Sequence, residues 1–278
     1  MRIAISNIAW DISEDEAIGQ LLQTLDIDAI DVAPGKYFPN PLNTSDDDIL
    51  RVRHKWAERG VEITGMQALL FGTTGLNVFG SPQSREAMLD HLRAVCHIGA
   101  GLGATRLVFG SPKNRDRSGL DDQQVLEVAV PFFRDLGAIA QLAGVQICLE
   151  PNPTHYGANF MTTCDETAEV VREVAHPAIK MQFDTGALAL NGESPDEVLR
   201  SHSSLIGHIH ISEPDLVPLG DGTAKHQEMN EAIRKYLALD VVSIETLATV
   251  DEPHLLSIKR SLDVAIKHYR ADAAEVGA

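Results

Sequence analysis

Apolar residues along this chain fall into short runs of six to eight positions, alternating with longer stretches whose apolar residues recur every three or four positions. The short runs predict strands near 2–9, 28–33, 61–68, 105–110, 145–150, 179–184, 206–212 and 241–246. The longer stretches predict helices near 14–25, 45–59, 84–102, 121–142, 164–175, 195–202, 226–238 and 252–270. Capping-box pairs mark three helix starts, at Ser13/Glu16, Thr163/Glu166 and Ser194/Glu197, the last with Pro195 in the first turn. Gly60, Gly103 and Gly144 follow helices, where a left-handed cap residue is common. Eight strand–helix units without a break in composition predict one (β/α)8 barrel domain spanning residues 1–278.

Two connections are long, and both follow strands: residues 69–83 and 213–225. Loops after strands lie on the face where such barrels carry their sites. Leu69, Leu70, Phe71, Phe79, Leu216 and Val217 give these two loops enough apolar surface to fold over a pocket. Trp10, near the end of the first strand, reads as a core aromatic or a pocket wall.

Chemistry enters at the strand ends. Glu150 closes Val145–Glu150, Asp184 closes Ile179–Asp184, His210 lies near the end of Ile206–Ser212, and Glu245 near the end of Val241–Thr246. Spacings of 34, 26 and 35 residues place each on its own neighbouring strand. One strand-end carboxylate would mean only a capped helix or a surface ion pair. Four polar residues at matching positions converge at one mouth of a parallel barrel, where three carboxylates would repel one another without a cation. The set suits manganese first, with magnesium, cobalt or zinc as alternatives. His208 shares a strand face with His210 and is expected below it as a buried support.

Other candidate contacts sit near the same mouth. Lys113 and Arg115 follow the fourth strand and are expected to project beside the metal toward a carboxylate or phosphate. His155, Asn7, Gln67, Glu213 and His226 are the remaining candidates for substrate contact.

The net charge is −17 and there is no basic run, which argues against nucleic acid. No apolar run approaches the length of a membrane span, and Met1–Ser6 leads directly into a strand with no sign of a secretory leader. Three scattered cysteines (Cys96, Cys148, Cys164) fit no disulfide or zinc pattern, so a reducing cytoplasm is expected. The exposed outer helices leave a homo-oligomer open.

The segments Cys148-Leu-Glu-Pro-Asn, Phe183-Asp-Thr-Gly, His208-Ile-His-Ile-Ser and Ser243-Ile-Glu-Thr resemble the xylose-isomerase-like TIM-barrel superfamily. Its members include ketose 3-epimerases, hydroxypyruvate isomerase, inosose dehydratase and type-2 apurinic endonucleases. The resemblance implies that Glu150, Asp184, His210 and Glu245 hold a divalent metal, and that Glu150 and Glu245 are also the acid/base pair. The implied activity is epimerisation or isomerisation of a sugar, sugar phosphate or sugar acid through a metal-stabilised enediolate. A lyase on the same scaffold, an inosose-type dehydratase or a 3-oxo sugar acid decarboxylase, is the alternative. Two positions depart from the ketose-epimerase pattern. That branch carries a substrate-contacting His where this chain has Ala187, and an Arg where it has Leu216. The first departure also counts against the endonuclease branch.

Overall fold

The computed structural model describes residues 1–270. Eight strands form its centre: β1 (Arg2–Ser6), β2 (Ala29–Val32), β3 (Glu62–Met66), β4 (Arg106–Phe109), β5 (Gln146–Leu149), β6 (Ile179–Asp184), β7 (Ile206–Ser212) and β8 (Val241–Glu245). They close in chain order into a barrel, with β8 pairing β1 in parallel. The strands are short and mostly buried, because both of their faces are covered. In β7 all seven residues are buried. The predicted (β/α)8 barrel is the observed fold. The predicted domain, 1–278, includes residues 271–278, which lie outside the described residues.

Among the described residues ten α-helices surround the strands: α1 (Asp15–Thr24), α2 (Pro34–Tyr37), α3 (Asp46–Ala57), α4 (Pro82–Leu102), α5 (Asp122–Ala143), α6 (Cys164–Val174), α7 (Thr185–Asn191), α8 (Pro195–His202), α9 (His226–Tyr236) and α10 (His254–Tyr269). All eight predicted helices are present within a few residues. Thr163 and Ser194 cap α6 and α8 by accepting from the amides of Glu166 and Glu197. Gly103 and Gly144 end α4 and α5 in the left-handed region, with φ of 88° and 76°.

Several expectations are corrected. The first strand stops at Ser6, because residues Asn7–Ala9 wind into a 3-10 turn capped by the Ser6 hydroxyl. Ser13 does not cap α1: residues Ile12–Glu14 already form a 3-10 turn, whose capping box pairs Asp11 with Glu14. The short helices α2 and α7 were not anticipated, since each is too brief to show a helical period. In the loop after β3, Leu69 and Leu70 are buried, and Phe71, though 80% exposed, lines a cavity at the barrel mouth as expected of this loop. Trp10 is a core residue, its indole N–H donating to Asp15 at 2.8 Å. The three cysteines are free and buried, and no helix among the described residues is long and apolar enough to cross a membrane.

Candidate metal centre and active site

At the C-terminal mouth of the barrel, one donor atom from each of Glu150, Asp184, His210 and Glu245 lies within 4.8 Å of the others. The strands deliver them as the spacing implies: Asp184 faces His210 across the β6–β7 register, and Glu245 ends β8 beside Ser212. His210 Nδ1 sits 3.1 Å from Glu245 Oε2 and 3.6 Å from Glu150 Oε1. Asp184 also caps α7, its Oδ1 accepting from the Ala187 amide at 2.6 Å, while the Ser212 hydroxyl lies about 3 Å from both of its oxygens (3.0 and 2.9 Å). The helix-capping role that would explain a lone strand-end carboxylate is therefore present together with the convergence. One does not replace the other.

Each glutamate is oriented by an amide. Gln67 donates to Glu245 Oε1 at 2.7 Å, and Asn152 donates to Glu150 Oε2 at 2.9 Å. At Gly110, just past β4, any Cβ would fall 1.9 Å from Glu150 Oε2, so the absence of a side chain there makes room for the carboxylate. Glu150 Oε1 is buried without a hydrogen-bond partner.

The electrostatics fit a cation. Burial and the neighbouring Glu245 and Glu150 charges push the Asp184 carboxyl up to about 7. Burial alone would lower the His210 pKa, but the Glu245 and Glu150 carboxylates raise it well above its usual value. An orphaned buried carboxylate oxygen and a three-carboxylate, one-imidazole donor set both suit a hard or borderline dication.

Above the four donors opens a cavity of about 560 Å³, lined among others by Lys36, Gln67, Lys113, Asn152, Tyr156 and the three carboxylates. Ile8, Ala68, Phe71, Leu216 and Leu247 form much of its apolar wall, and Ala187 lies in the lining as well. Ala68 and Leu216 each adopt φ of 53°, a conformation unfavourable for residues with a Cβ and concentrated at functional sites. Leu216 is held there by the segment just after β8: Thr246 Oγ1 and the Leu247 amide both donate to its carbonyl at 2.9 Å. A larger cavity, about 870 Å³, opens at the opposite end of the barrel and contains none of the four donors.

The candidate contacts divide. Gln67 and Lys113 line the cavity. Arg115 does not project beside the metal as expected. It is fully buried behind β5, donating to the Glu150 carbonyl at 2.7 Å, and burial, only partly offset by Glu150 and Glu166, lowers its pKa to about 10. Asn7 is buried, its Oδ1 tying the Ala33 amide at 2.7 Å. His155 pairs with Asp215 at 2.7 Å on the exposed rim, outside the cavity lining. Glu213 and His226 form a buried pair at 3.0 Å, also outside the lining. His208 is buried below His210 as expected, bonded to Asp31 at 2.7 Å. Asp31, Lys36, Asn152, Tyr156 and Ser212 were not anticipated. Asn152 and Ser212 carried a local sign, each two positions after a candidate metal ligand, Glu150 and His210.

Comparison with known proteins bears on the family and the fold. Residues 20–268 match the family described as Xylose isomerase-like TIM barrel. A D-psicose 3-epimerase of Ruminiclostridium cellulolyticum is 26% identical over 114 residues, 41% of this chain and 39% of that protein. The match thus spans about two fifths of that relative's length. The crystal structure of D-psicose 3-epimerase with D-tagatose from Clostridium cellulolyticum H10 superposes with a TM-score of 0.81 at 20% identity, covering 98% of this chain and all of that one (100%). The IOLI protein, solved with a bound zinc atom, superposes with a TM-score of 0.74 at 17% identity, covering 98% of this chain and 100% of that one. The match over residues 20–268 places this chain in the xylose isomerase-like TIM-barrel family.

Proposed function

We propose that the protein is a divalent-metal-dependent epimerase or isomerase of a sugar, sugar phosphate or sugar acid, with Glu150 and Glu245 as its acid/base pair. The observation that carries this reading is the meeting of those two glutamates, from the ends of β5 and β8, with Asp184 and the buried His210, the three carboxylates lining one cavity. Glu150, Asp184, His210 and Glu245 would hold the metal, manganese being the best fit to the donor set. A bound dication supplies Lewis-acid stabilisation of negative charge on substrate oxygens.

The remaining work belongs to the side chains. A proton on carbon beside a carbonyl is removed by a carboxylate and returned by a second acid. Glu150 and Glu245 flank the Asp184 and His210 donors, so one takes the proton and the other returns it from a different side, inverting the carbon. Return to the adjacent carbon gives an aldose–ketose exchange. Asn152 and Gln67 keep the two carboxylates aimed at the cavity, and the apolar wall limits water there. Among the lining residues the cations are Lys36 and Lys113. Lys36 is already bound to the carbonyls of Asn7 and Trp10. Lys113, whose Nζ makes only a long 3.5 Å contact with the Thr73 carbonyl, is therefore the cation available to an anionic group of the substrate. With Ala187 and Leu216 in the lining, a free ketose held in the usual way of ketose epimerases is disfavoured.

The test is turnover by manganese-loaded protein on a panel of ketoses, sugar acids and sugar phosphates. Epimer or isomer should form, and Glu150→Gln or Glu245→Gln should each lower kcat by roughly 10²- to 10⁴-fold. A product lighter by one water, or by carbon dioxide, would transfer the reading to a lyase. Full activity of either variant would end it.

A further inference from the structure

A carboxylate beneath the metal centre has no place in the reading above. Asp31, on β2, is 0% exposed. Its Oδ2 meets His208 Nε2 at 2.7 Å, and the Thr64 hydroxyl donates to its Oδ1 at 3.0 Å. Across the β2–β3 register its partner is Gly65, where any Cβ would lie 2.6 Å from Asp31 Oδ1. The barrel wall thus omits a side chain to admit this acid. Burying a charge is costly unless it is compensated, and His208 would compensate it without further help. What singles Asp31 out is its second neighbour.

His210 Nε2 lies 3.9 Å from Asp31 Oδ2 and has no hydrogen-bond partner. The two nitrogens of His210 therefore face opposite ways: Nδ1 toward Glu245 and Glu150, Nε2 toward Asp31. An imidazole binds a metal through one unprotonated nitrogen, and the charge near its other nitrogen decides which one keeps the proton. We propose that Asp31 is a positioning residue for the metal centre, holding His210 with its proton on Nε2 and its lone pair on Nδ1. The buried negative charge also adds to the attraction for a dication from below. His208, by bonding the same oxygen, competes with His210 for it and sets how strongly Asp31 acts. This inference rests on the reading that Glu150, Asp184, His210 and Glu245 hold a metal.

Isothermal titration of metal-free protein with Mn²⁺ tests it through two variants expected to move in different directions. Asp31→Asn keeps the shape and removes the charge, and its affinity should fall 10- to 100-fold, the size of effect typical of groups that orient a ligating histidine. His208→Gln leaves the Asp31 charge in place and should bind Mn²⁺ as tightly as the parent or more so. A merely structural role for the pair predicts equal losses in both. Equal losses, or an Asp31→Asn affinity within two-fold of the parent, would overturn the proposal. Should Asp31→Asn fail to fold, nitrogen NMR of the parent loaded with Zn²⁺ decides: the proton belongs on His210 Nε2, and zinc bound through Nε2 overturns the proposal. A parent protein that takes up neither Mn²⁺ nor Zn²⁺ overturns the metal reading itself, a result distinct from every other outcome.

Discussion

At the scale of single residues, the site depends on room as much as on ligands. Glu150 reaches the centre because Gly110 presents no side chain to its Oε2, and because Asn152 holds that same oxygen. Gly110→Ala should leave the fold intact while displacing the carboxylate, and a shift on the order of 1 Å at a catalytic group costs about 100-fold in rate. Steady-state kinetics beside a circular dichroism melt will show this, and unchanged kcat would mean that Glu150 is not held where the chemistry needs it. The four donors were legible in the chain because a regular strand spacing projects equivalent positions to one place. Gly110, Lys36 and Tyr156 were not legible, since their nearness to the centre depends on how each loop turns after its strand. Arg115 misled for a related reason. Its charge and position beside β4 suggested exposure, but the 3-10 turn Pro112–Arg115 carries it inward beneath Glu150.

At the scale of elements, the loop between β7 and α9 is wrapped around one buried carboxylate. Glu213 accepts from the amides of Gly220 at 2.9 Å and Ala224 at 2.8 Å, and pairs with His226, whose other nitrogen meets the Tyr269 hydroxyl at 2.8 Å. That frame fixes the segment that sets Leu216 over the cavity. The sequence showed a long apolar-containing loop after a strand but not its hub, because a glutamate three positions past a metal ligand looks the same whether it faces substrate or the loop interior. Glu213→Ala would strand two amides and a buried histidine, a loss of about 3–5 kcal/mol. For a chain of this size that lowers Tm on the order of 10 °C, with faster hydrogen exchange across 213–225 and unchanged Mn²⁺ affinity. An unchanged Tm with weakened sugar binding would instead make Glu213 a substrate contact.

At the scale of the whole molecule, the barrel was legible from eight alternating units, since the period of apolar residues follows directly from burial on both faces of each strand. The helices too short to display a period, α2 and α7, were not. The closed barrel is what turns four residues spread over 96 positions, from 150 to 245, into one centre. The proposed function requires proton transfer at carbon by Glu150 and Glu245 in the presence of a metal. The most direct measurement is deuterium incorporation, read by NMR, when the manganese-loaded protein is incubated with sugar substrates in D₂O. Deuterium should enter at a carbon beside the carbonyl, stop when the metal is chelated, and fall below detection in the Glu150→Gln/Glu245→Gln double variant. Exchange that persists undiminished in that variant, or after chelation, would contradict the account.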